Sequence, residues 1–493
     1  MKTLLIAINS SYVHTNLAVR SILAASKNPM ELREYNINQQ LSDVVSDLLD
    51  AEIAAFSCYI WNIDYVLKAA QDLKKINPSV KIVLGGPQVT FDAYEVMQKN
   101  DFVDYILCGE AELVFDDLIN QIQAADNQNL EDFKMDGILY RNEKQICGND
   151  TYQFLQNMDD LSLYKEEYNC NKLYYYESTR GCPFCCAYCL SGALPCGVRE
   201  KSLEKVFRDI DVFVKNDVKL VKFVDRTFNA NKQRAKKIIE YVIDHTKNTS
   251  FHFEIALDLV DEEMLILFEH APVGKIQLEA GVQSCNEKTL HAVIRKTNID
   301  KVCENAQKIL KNQNIHLHLD LIAGLPFEDL NSFAHSFDTV YDLYADALQL
   351  GFLKLLKGSS LYERSAEYGI IARSYPPFEV LKTNEMTAAD LFYLKGVEEQ
   401  LNRYYNTGRA RKALDYLTKN KIMQPYELYS KLYDFSIIKG CTKRPVGALN
   451  QFVFLIDFAK EYLNEPTEFY KNLKTDYINT KIKGIMPIEL QEN

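Results

Sequence analysis

The chain has 493 residues, enough at about 150 residues per domain for roughly three domains, each with its own core. Its 56 Lys and Arg are outnumbered by 68 Asp and Glu, giving a net charge of -12, which excludes a global electrostatic attraction to phosphate backbones or anionic lipids. Hydrophobic content of 47% and charged content of 25% are those of a globular chain rather than a disordered or fibrous one.

Residues 4–8 form too brief an apolar run for the core of a signal peptide, and polar Asn9, Ser10 and Ser11 follow it. No uncharged apolar stretch approaches the ~18 residues of a membrane span, and the greasy segment 452–458 is interrupted by Asp457. The chain is therefore expected to be cytoplasmic, with no membrane contact. Up to about Tyr140, apolar runs at 4–8, 53–57, 81–84 and 105–107 alternate with helical patterns, as buried parallel strands do in a βαβ sheet. With residues 31–35 as the edge strand, this predicts a flavodoxin-like doubly wound α/β domain over residues 1–140. Its expected strand order is 2-1-3-4-5, and a hairpin opening at Asp136-Gly137 closes it. Ligands of such sheets sit beyond the strand carboxyl ends. That rule marks Asn9 and Ser10, Ser57 and the nearby Trp61, Gly85-Gly86-Pro87, and Gly109-Glu110.

After a linker at 141–173, residues 174–365 hold six repeats of strand then helix, with strands near Tyr174, Leu220, Phe251, Ile276, Ile315 and Leu348. Six such units predict an incomplete (β/α)6 barrel, whose active site would lie at the strand carboxyl ends. Polar or glycine-bearing segments fall there: Asp225-Arg226-Thr227, Gly281-Val282-Gln283-Ser284 and Ala323-Gly324-Leu325-Pro326. Residues 366–493 lose these turns and read as an all-α C-terminal region. Its basic run Arg409-Ala410-Arg411-Lys412 reads as a solvated helix face, so no nucleic-acid partner is expected.

Twelve cysteines in a cytosolic chain are not a disulfide framework, and four of them fall within residues 182–189. Cys182, Cys186 and Cys189 have the spacing C-x3-C-x2-C. Three thiolates on one tight loop suit three corners of a 4Fe–4S cube and leave the fourth iron open to a small-molecule chelate, which is a catalytic arrangement. A zinc site using Cys182, Cys185 and Cys196 would need a further ligand, and no second C-x2-C pair follows. Cys185 is expected to be a buried packing residue, as are the scattered Cys58, Cys108, Cys147, Cys170, Cys285, Cys303 and Cys441.

This cysteine loop resembles that of the radical S-adenosylmethionine (SAM) superfamily, including an aromatic, Tyr188, before the last cysteine, where the family sets a residue against adenine. Segments Phe253-Glu254-Ile255-Ala256, Glu279-Ala280-Gly281-Val282-Gln283-Ser284 and Asp320-Leu321-Ile322-Ala323-Gly324-Leu325-Pro326 resemble the coproporphyrinogen-dehydrogenase-like branch. The resemblance implies that Glu254, Gln283, Arg295 and Asp320 hold the amino acid and ribose of SAM, and that Gly281 and Gly324 let backbone approach it. In Leu356-Lys357-Gly358-Ser359-Ser360-Leu361, Lys357 replaces the proline usual in the family's turn after the sixth strand.

A flavodoxin-like domain ahead of such a barrel is similar to the arrangement of cobalamin-dependent radical SAM enzymes. By that likeness Ser57, Gly85 and Gly86 leave room for the corrin nucleotide tail, and Gly109-Glu110-Ala111-Glu112 resembles the family's G-E-x-E turn. The Asp-x-His-x-x-Gly motif is absent, so cobalamin binding without a histidine on cobalt is expected. Trp61 either faces the corrin or packs on a helix. The implied enzyme cleaves SAM reductively at a 4Fe–4S cluster and, with cobalamin, methylates a poorly activated carbon of a small-molecule or peptide substrate, using electrons from a flavodoxin or ferredoxin. A cobalamin-dependent radical cyclase or rearrangement enzyme is the alternative. A non-enzymatic Fe–S redox sensor would need a fourth cysteine ligand, for which Cys185 is badly placed beside Cys186.

Overall fold

Strand β1 (Thr3–Asn9) is buried along its whole length, as a strand must be when helices cover both faces of a parallel sheet. The computed structural model describes residues 1–112, 114–125, 135–152, 154–164, 168–191, 197–442, 445–482 and 484–491. After β1 come α1 (Leu17–Ala25), β2 (Met30–Asn36), α2 (Leu41–Asp47), β3 (Ile53–Ser57), α3 (Ile63–Ile76), β4 (Lys81–Gly85), α4 (Pro87–Thr90), α5 (Ala93–Lys99), β5 (Tyr105–Leu107) and α6 (Phe115–Ala125). Strands β2-β1-β3-β4-β5 pair in parallel in the expected order. The antiparallel hairpin β6 (Ile138–Asn142) and β7 (Gln145–Gly148) extends the sheet past residue 140. Two apolar cores lie against it, one centred on Leu4, Ile6 and Ile8, the other on Leu5, Ala7 and Val83.

Gly86 caps α4 at φ 107° and ψ 171°, a region that only glycine enters without strain. A Cβ there would stand 2.6 Å from the Cys58 carbonyl oxygen. Strand ends β3 and β4 therefore demand this glycine whether or not a ligand is bound. Gly86→Ala is expected to destabilise the N-terminal sheet by about 2 kcal/mol, read as a lower unfolding midpoint in the cofactor-free chain.

The second unit begins with β8 (Tyr174–Tyr176) and the paired β9 (Thr179–Arg180) and β10 (Arg199–Glu200). It continues through α7 (Leu203–Lys215), β11 (Leu220–Phe223), α8 (Lys232–His245), β12 (Ser250–Glu254), α9 (Glu262–His270), β13 (Ile276–Gln283), α10 (Glu287–Ala292), α11 (Ile299–Leu310), β14 (His316–Ala323), α12 (Leu330–Tyr341), β15 (Ala347–Phe352) and α13 (Ser360–Glu363). Six parallel strands, in the order β15-β14-β13-β12-β11-β8, make an open barrel wall. Along β13 and β14 every second residue is buried against the helices. The intervening positions, which turn to the concave side, carry Glu279, Gly281, His318 and Asp320.

The C-terminal region is not wholly helical: β16 (Ile371–Ala372) pairs with β17 (Val380–Lys382) before the helices begin. Helix α14 (Ala388–Leu401) runs into a π-turn at Asn402–Asn406 and is followed by α15 (Arg411–Lys419), α16 (Pro425–Ile438), α17 (Ala448–Tyr462), α18 (Thr467–Asn479) and α19 (Ile488–Gln491). Barrel and helices share one continuous apolar core, from Tyr164 through Leu319 and Leu394 to Leu490. Among the described residues no helix is long and apolar enough to cross a membrane.

Candidate functional site

The cysteine loop leaves β9 and is pinned at its middle residue. The Ala187 N–H donates to the Val293 carbonyl at 2.8 Å, and the Ala187 carbonyl accepts from the Leu361 N–H at 2.8 Å. A turn in which the Cys189 N–H donates to the Cys186 carbonyl at 3.0 Å keeps the last two cysteines of the motif together. Cys186 is buried, Cys182 and Cys189 are half-buried, and Cys182 Sγ lies 3.5 Å from Thr227 Oγ1. Cys185 is exposed rather than buried, because its neighbour Cys186 takes the inward place in the turn. Cys170 is likewise exposed, while Cys58 and Cys108 are buried. Cys196 lies outside the described residues.

Beside Cys186 opens a cleft of about 150 Å³, walled by the carboxyl ends of the barrel strands: Arg226, Glu254, Glu279, Gly281, Gln283, Arg295 and Asp320 all line it. Four of the residues expected to hold SAM are thus brought together with a cluster cysteine. The Arg295 guanidinium reaches Cys186 Sγ at 3.8 Å and Tyr188 Oη at 3.4 Å, and also donates to the Gly281 carbonyl. Among the described residues its Nε has no hydrogen-bond partner. Gln283 sits at φ 73°, an uncommon conformation for a residue with a side chain, at a bulge where β13 and β14 lose register. Its Oε1 is buried and has no partner among the described residues. A Cβ on Gly281 would meet Gln283 Nε2 at 1.9 Å, so the glycine makes room for the amide rather than only for a cofactor.

Charge on the concave wall is unevenly settled. Lys222 Nζ donates to Glu279 at 3.0 Å, and His252 Nε2 stands 3.0 Å from the same carboxylate oxygen, an ion-pair distance without hydrogen-bond alignment. The contact from His252, together with the nearby Lys222 cation, holds its carboxyl down at about 2 against the opposing pull of burial. Asp320 goes the other way. Burial, reinforced by the Glu279 and Glu254 carboxylates, pushes it up to about 8. His318 Nε2 is 3.2 Å from Asp320 Oδ1, close enough for an ion pair but poorly aimed for a hydrogen bond, and burial lowers the imidazole. Burial also raises Glu254. A cationic ligand would relieve these carboxylates. Three thiols beside a wall with unpartnered Gln283 Oε1 and Arg295 Nε fit a cluster whose open iron takes a charged small molecule.

Lys222, His252 and His318 were not singled out from the sequence. Their signal was present in the polar residues at every second strand position, where fully covered parallel strands are apolar on both sides.

The carboxyl ends of the N-terminal sheet abut the same barrel mouth. Lys357 bridges to Asp92 at 3.1 Å and to Glu95, which gives the residue standing in place of proline a docking role. His14 Nδ1 meets Tyr175 Oη at 2.8 Å. Glu110 departs most from its expected cofactor role: Arg199 holds both its oxygens at 2.6 and 2.9 Å, and Arg180, next to the cysteine loop, adds a contact at 3.1 Å. Arg180 also bonds Glu112 and Glu177. Glu110 therefore joins the two domains.

Asn9 Nδ2 donates to the His14 carbonyl at 3.0 Å, and Ser57 Oγ accepts from Asn16 at 3.1 Å, so both side chains brace the loop after β1. Ser10 is exposed, a Cβ on Gly85 would meet nothing nearer than the Leu107 carbonyl at 3.8 Å, and Pro87 opens α4 behind Gly86. Gly109 has φ 93° at the turn after β5. Trp61 is 49% exposed and stacks on Tyr59 at 4.3 Å, a flat aromatic platform just beyond β3. Gly324 lies against Leu353 and Leu391 of α14 and is not among the cleft residues. Its φ of 88° serves the turn after β14.

Comparison with known proteins agrees with this layout. Residues 3–119 match the B12 binding domain, residues 176–340 match the radical SAM superfamily, and residues 366–493 match a protein family of unknown function, DUF4080. The chain is 24% identical over 323 residues to the cobalamin-dependent radical SAM methyltransferase TokK of Streptomyces tokunonensis, covering 59% of this chain and 45% of that one. It is 27% identical over 254 residues to an anaerobic magnesium-protoporphyrin IX monomethyl ester cyclase of Synechocystis, covering 49% and 50%. The chain thus spans about half the length of these curated relatives. Its fold is similar to that of the cobalamin-dependent SAM radical enzyme OxsB, with TM-score 0.67 at 13% identity over 100% of this chain and 83% of that one.

Proposed function

We propose that this chain, which carries a B12 binding domain followed by a radical SAM domain, is a cytoplasmic enzyme that methylates a poorly activated carbon of a small molecule, with electrons from a small redox protein such as a flavodoxin or ferredoxin. The observation that carries the reading is the C-x3-C-x2-C loop, whose Cys186 lines a cleft together with Glu254, Gln283, Arg295 and Asp320, on a barrel bridged to the first domain by ion pairs. When bound, a 4Fe–4S cluster with SAM supplies one-electron cleavage chemistry, and cobalamin supplies a transferable methyl group.

The chain's own part is binding, orientation and exclusion of water. Cys182, Cys186 and Cys189 present thiolates to iron. The spare Arg295 donor is suited to the SAM carboxylate, and Glu254 and Asp320 to its ammonium and ribose hydroxyls. Tyr188, steadied by Arg295, would lie along adenine, and the Gly281 backbone would border the same site. The Tyr59–Trp61 platform, with Ser10, Gly85 and Gly109 along the strand ends, would border the corrin. The bridges of Glu110 to Arg199 and Arg180, and of Lys357 to Asp92, hold the two cofactor domains in one orientation.

Anaerobically purified and reconstituted protein is expected to contain iron, sulfide and cobalamin, and to release 5'-deoxyadenosine from SAM when a reductant is added. Absence of 5'-deoxyadenosine from protein with a full cluster would overturn the reading. Cyclisation, the activity named for the Synechocystis relative, is separated by product mass. A methylated product is heavier than its substrate by one CH2, and a cyclised one is not.

A further inference from the structure

A second cavity lies away from the cysteine loop. β15 is the last strand of the open barrel and among the described residues pairs only with β14, which leaves its outer edge without a strand neighbour there. The Asn406 amide stands in for one at a single residue, accepting from the Leu348 N–H at 3.0 Å and donating to its carbonyl at 2.9 Å. Beside that seal, a space of about 420 Å³ remains between the strand and α14 with its π-turn, lined by His318, Gln349 and Lys354 from the barrel and by Glu379, Lys395 and Glu398 from the C-terminal region.

The charges in this space do not all cancel. Lys395 is matched by Glu379 at 2.7 Å and lies over the Phe352 ring at 4.0 Å. Among the described residues Glu398 is within the field of Lys395 but receives a hydrogen bond only from the Asn402 amide, at 3.1 Å. Among the described residues, the Lys354 ammonium and the Gln349 amide have no hydrogen-bond or ion-pair partner. One cation and one carboxylate on opposite walls are therefore left for a ligand. The cavity adjoins the cleft, since His318 lines the first and touches Asp320, which lines the second.

We propose that this cavity is the anchoring site for the substrate and that the substrate is an amino-acid-like zwitterion, its carboxylate on Lys354, its ammonium on Glu398 and Gln349 beside them, with its remainder directed past His318 toward Asp320. This rests on the function proposed above and deepens it. It also gives the C-terminal helices a task, because α14 supplies the ammonium's partner.

The test is calorimetric titration of the anaerobically purified full chain with the proteinogenic L-amino acids, one at a time, followed by the N-acetyl and the carboxamide forms of any that bind. At least one amino acid is expected to bind, with affinity falling tenfold or more when either end is capped and in either of Lys354→Met and Glu398→Gln. Failure of every amino acid to bind, or binding that neither the caps nor the two substitutions weaken, would overturn the proposal. The capping arm needs no variant, so it decides the matter even if a substitution impairs folding. Because binding is read without turnover, protein that cleaves SAM but binds no amino acid sinks this proposal alone. Protein that binds but never cleaves SAM sinks the proposed function instead.

Discussion

Cys182→Ala, Cys186→Ala and Cys189→Ala are each expected to lose the iron–sulfur cluster and with it all 5'-deoxyadenosine formation, the largest effect of any single change in this chain. The reason is that iron needs thiolates and a cube with three protein ligands has no spare one. Cys185→Ala and Cys196→Ala are expected to keep full iron. For Cys185 the structure adds a reason, since its side chain is turned out to solvent. The measurement is iron and sulfide per chain after anaerobic reconstitution, with the absorption of the cluster as a second readout. Full iron in Cys186→Ala protein would remove the basis of the assignment.

The cofactor-free chain is expected to become less stable from pH 5 to pH 8, and Asp320→Asn to remove much of that loss. Burial and two neighbouring carboxylates push Asp320 up to about 8, far above its value in an unfolded chain. The folded state therefore holds the proton more tightly than the unfolded one. Stability from this group is complete at low pH and is lost as pH rises between about 4 and about 8. At 1.36 kcal/mol per unit, the difference between wild type and Asp320→Asn should grow by up to about 4 kcal/mol between pH 5 and pH 8, measured by urea unfolding at each pH. Parallel curves for the two proteins would show that Asp320 carries no buried charge. Glu328, also raised by burial, to about 7, contributes with the same sign in both proteins and cancels in the comparison. In the holoenzyme a cationic ligand in the cleft should flatten the wild-type curve, because it neutralises the charge that burial penalises.

Local spacing settles what can be settled within a few residues. Strand runs and turn residues are short-range signals, so the order of the five parallel strands in the first sheet and the six strands of the second were legible in the chain, as was the C-x3-C-x2-C spacing, which needs no distant partner. The family resemblance also marked Glu254, Gln283 and Asp320 on barrel strands and Arg295 in the loop after α10, and the parallel fold brings all four to one mouth. Pairings between residues far apart in the chain came from the three-dimensional packing alone. Glu110 and Arg199 are separated by 89 positions, and nothing near Glu110 announces that its carboxylate will join two domains rather than face a cofactor. Gly324 reads locally as a cofactor glycine, yet it meets Leu391 from another region. The Lys222–Glu279–His252 group and the cavity between β15 and α14 exist only once strands are laid side by side and a helix is set against the open edge. Their chemistry depends on distances of about 3 Å across elements, which composition and periodicity do not encode.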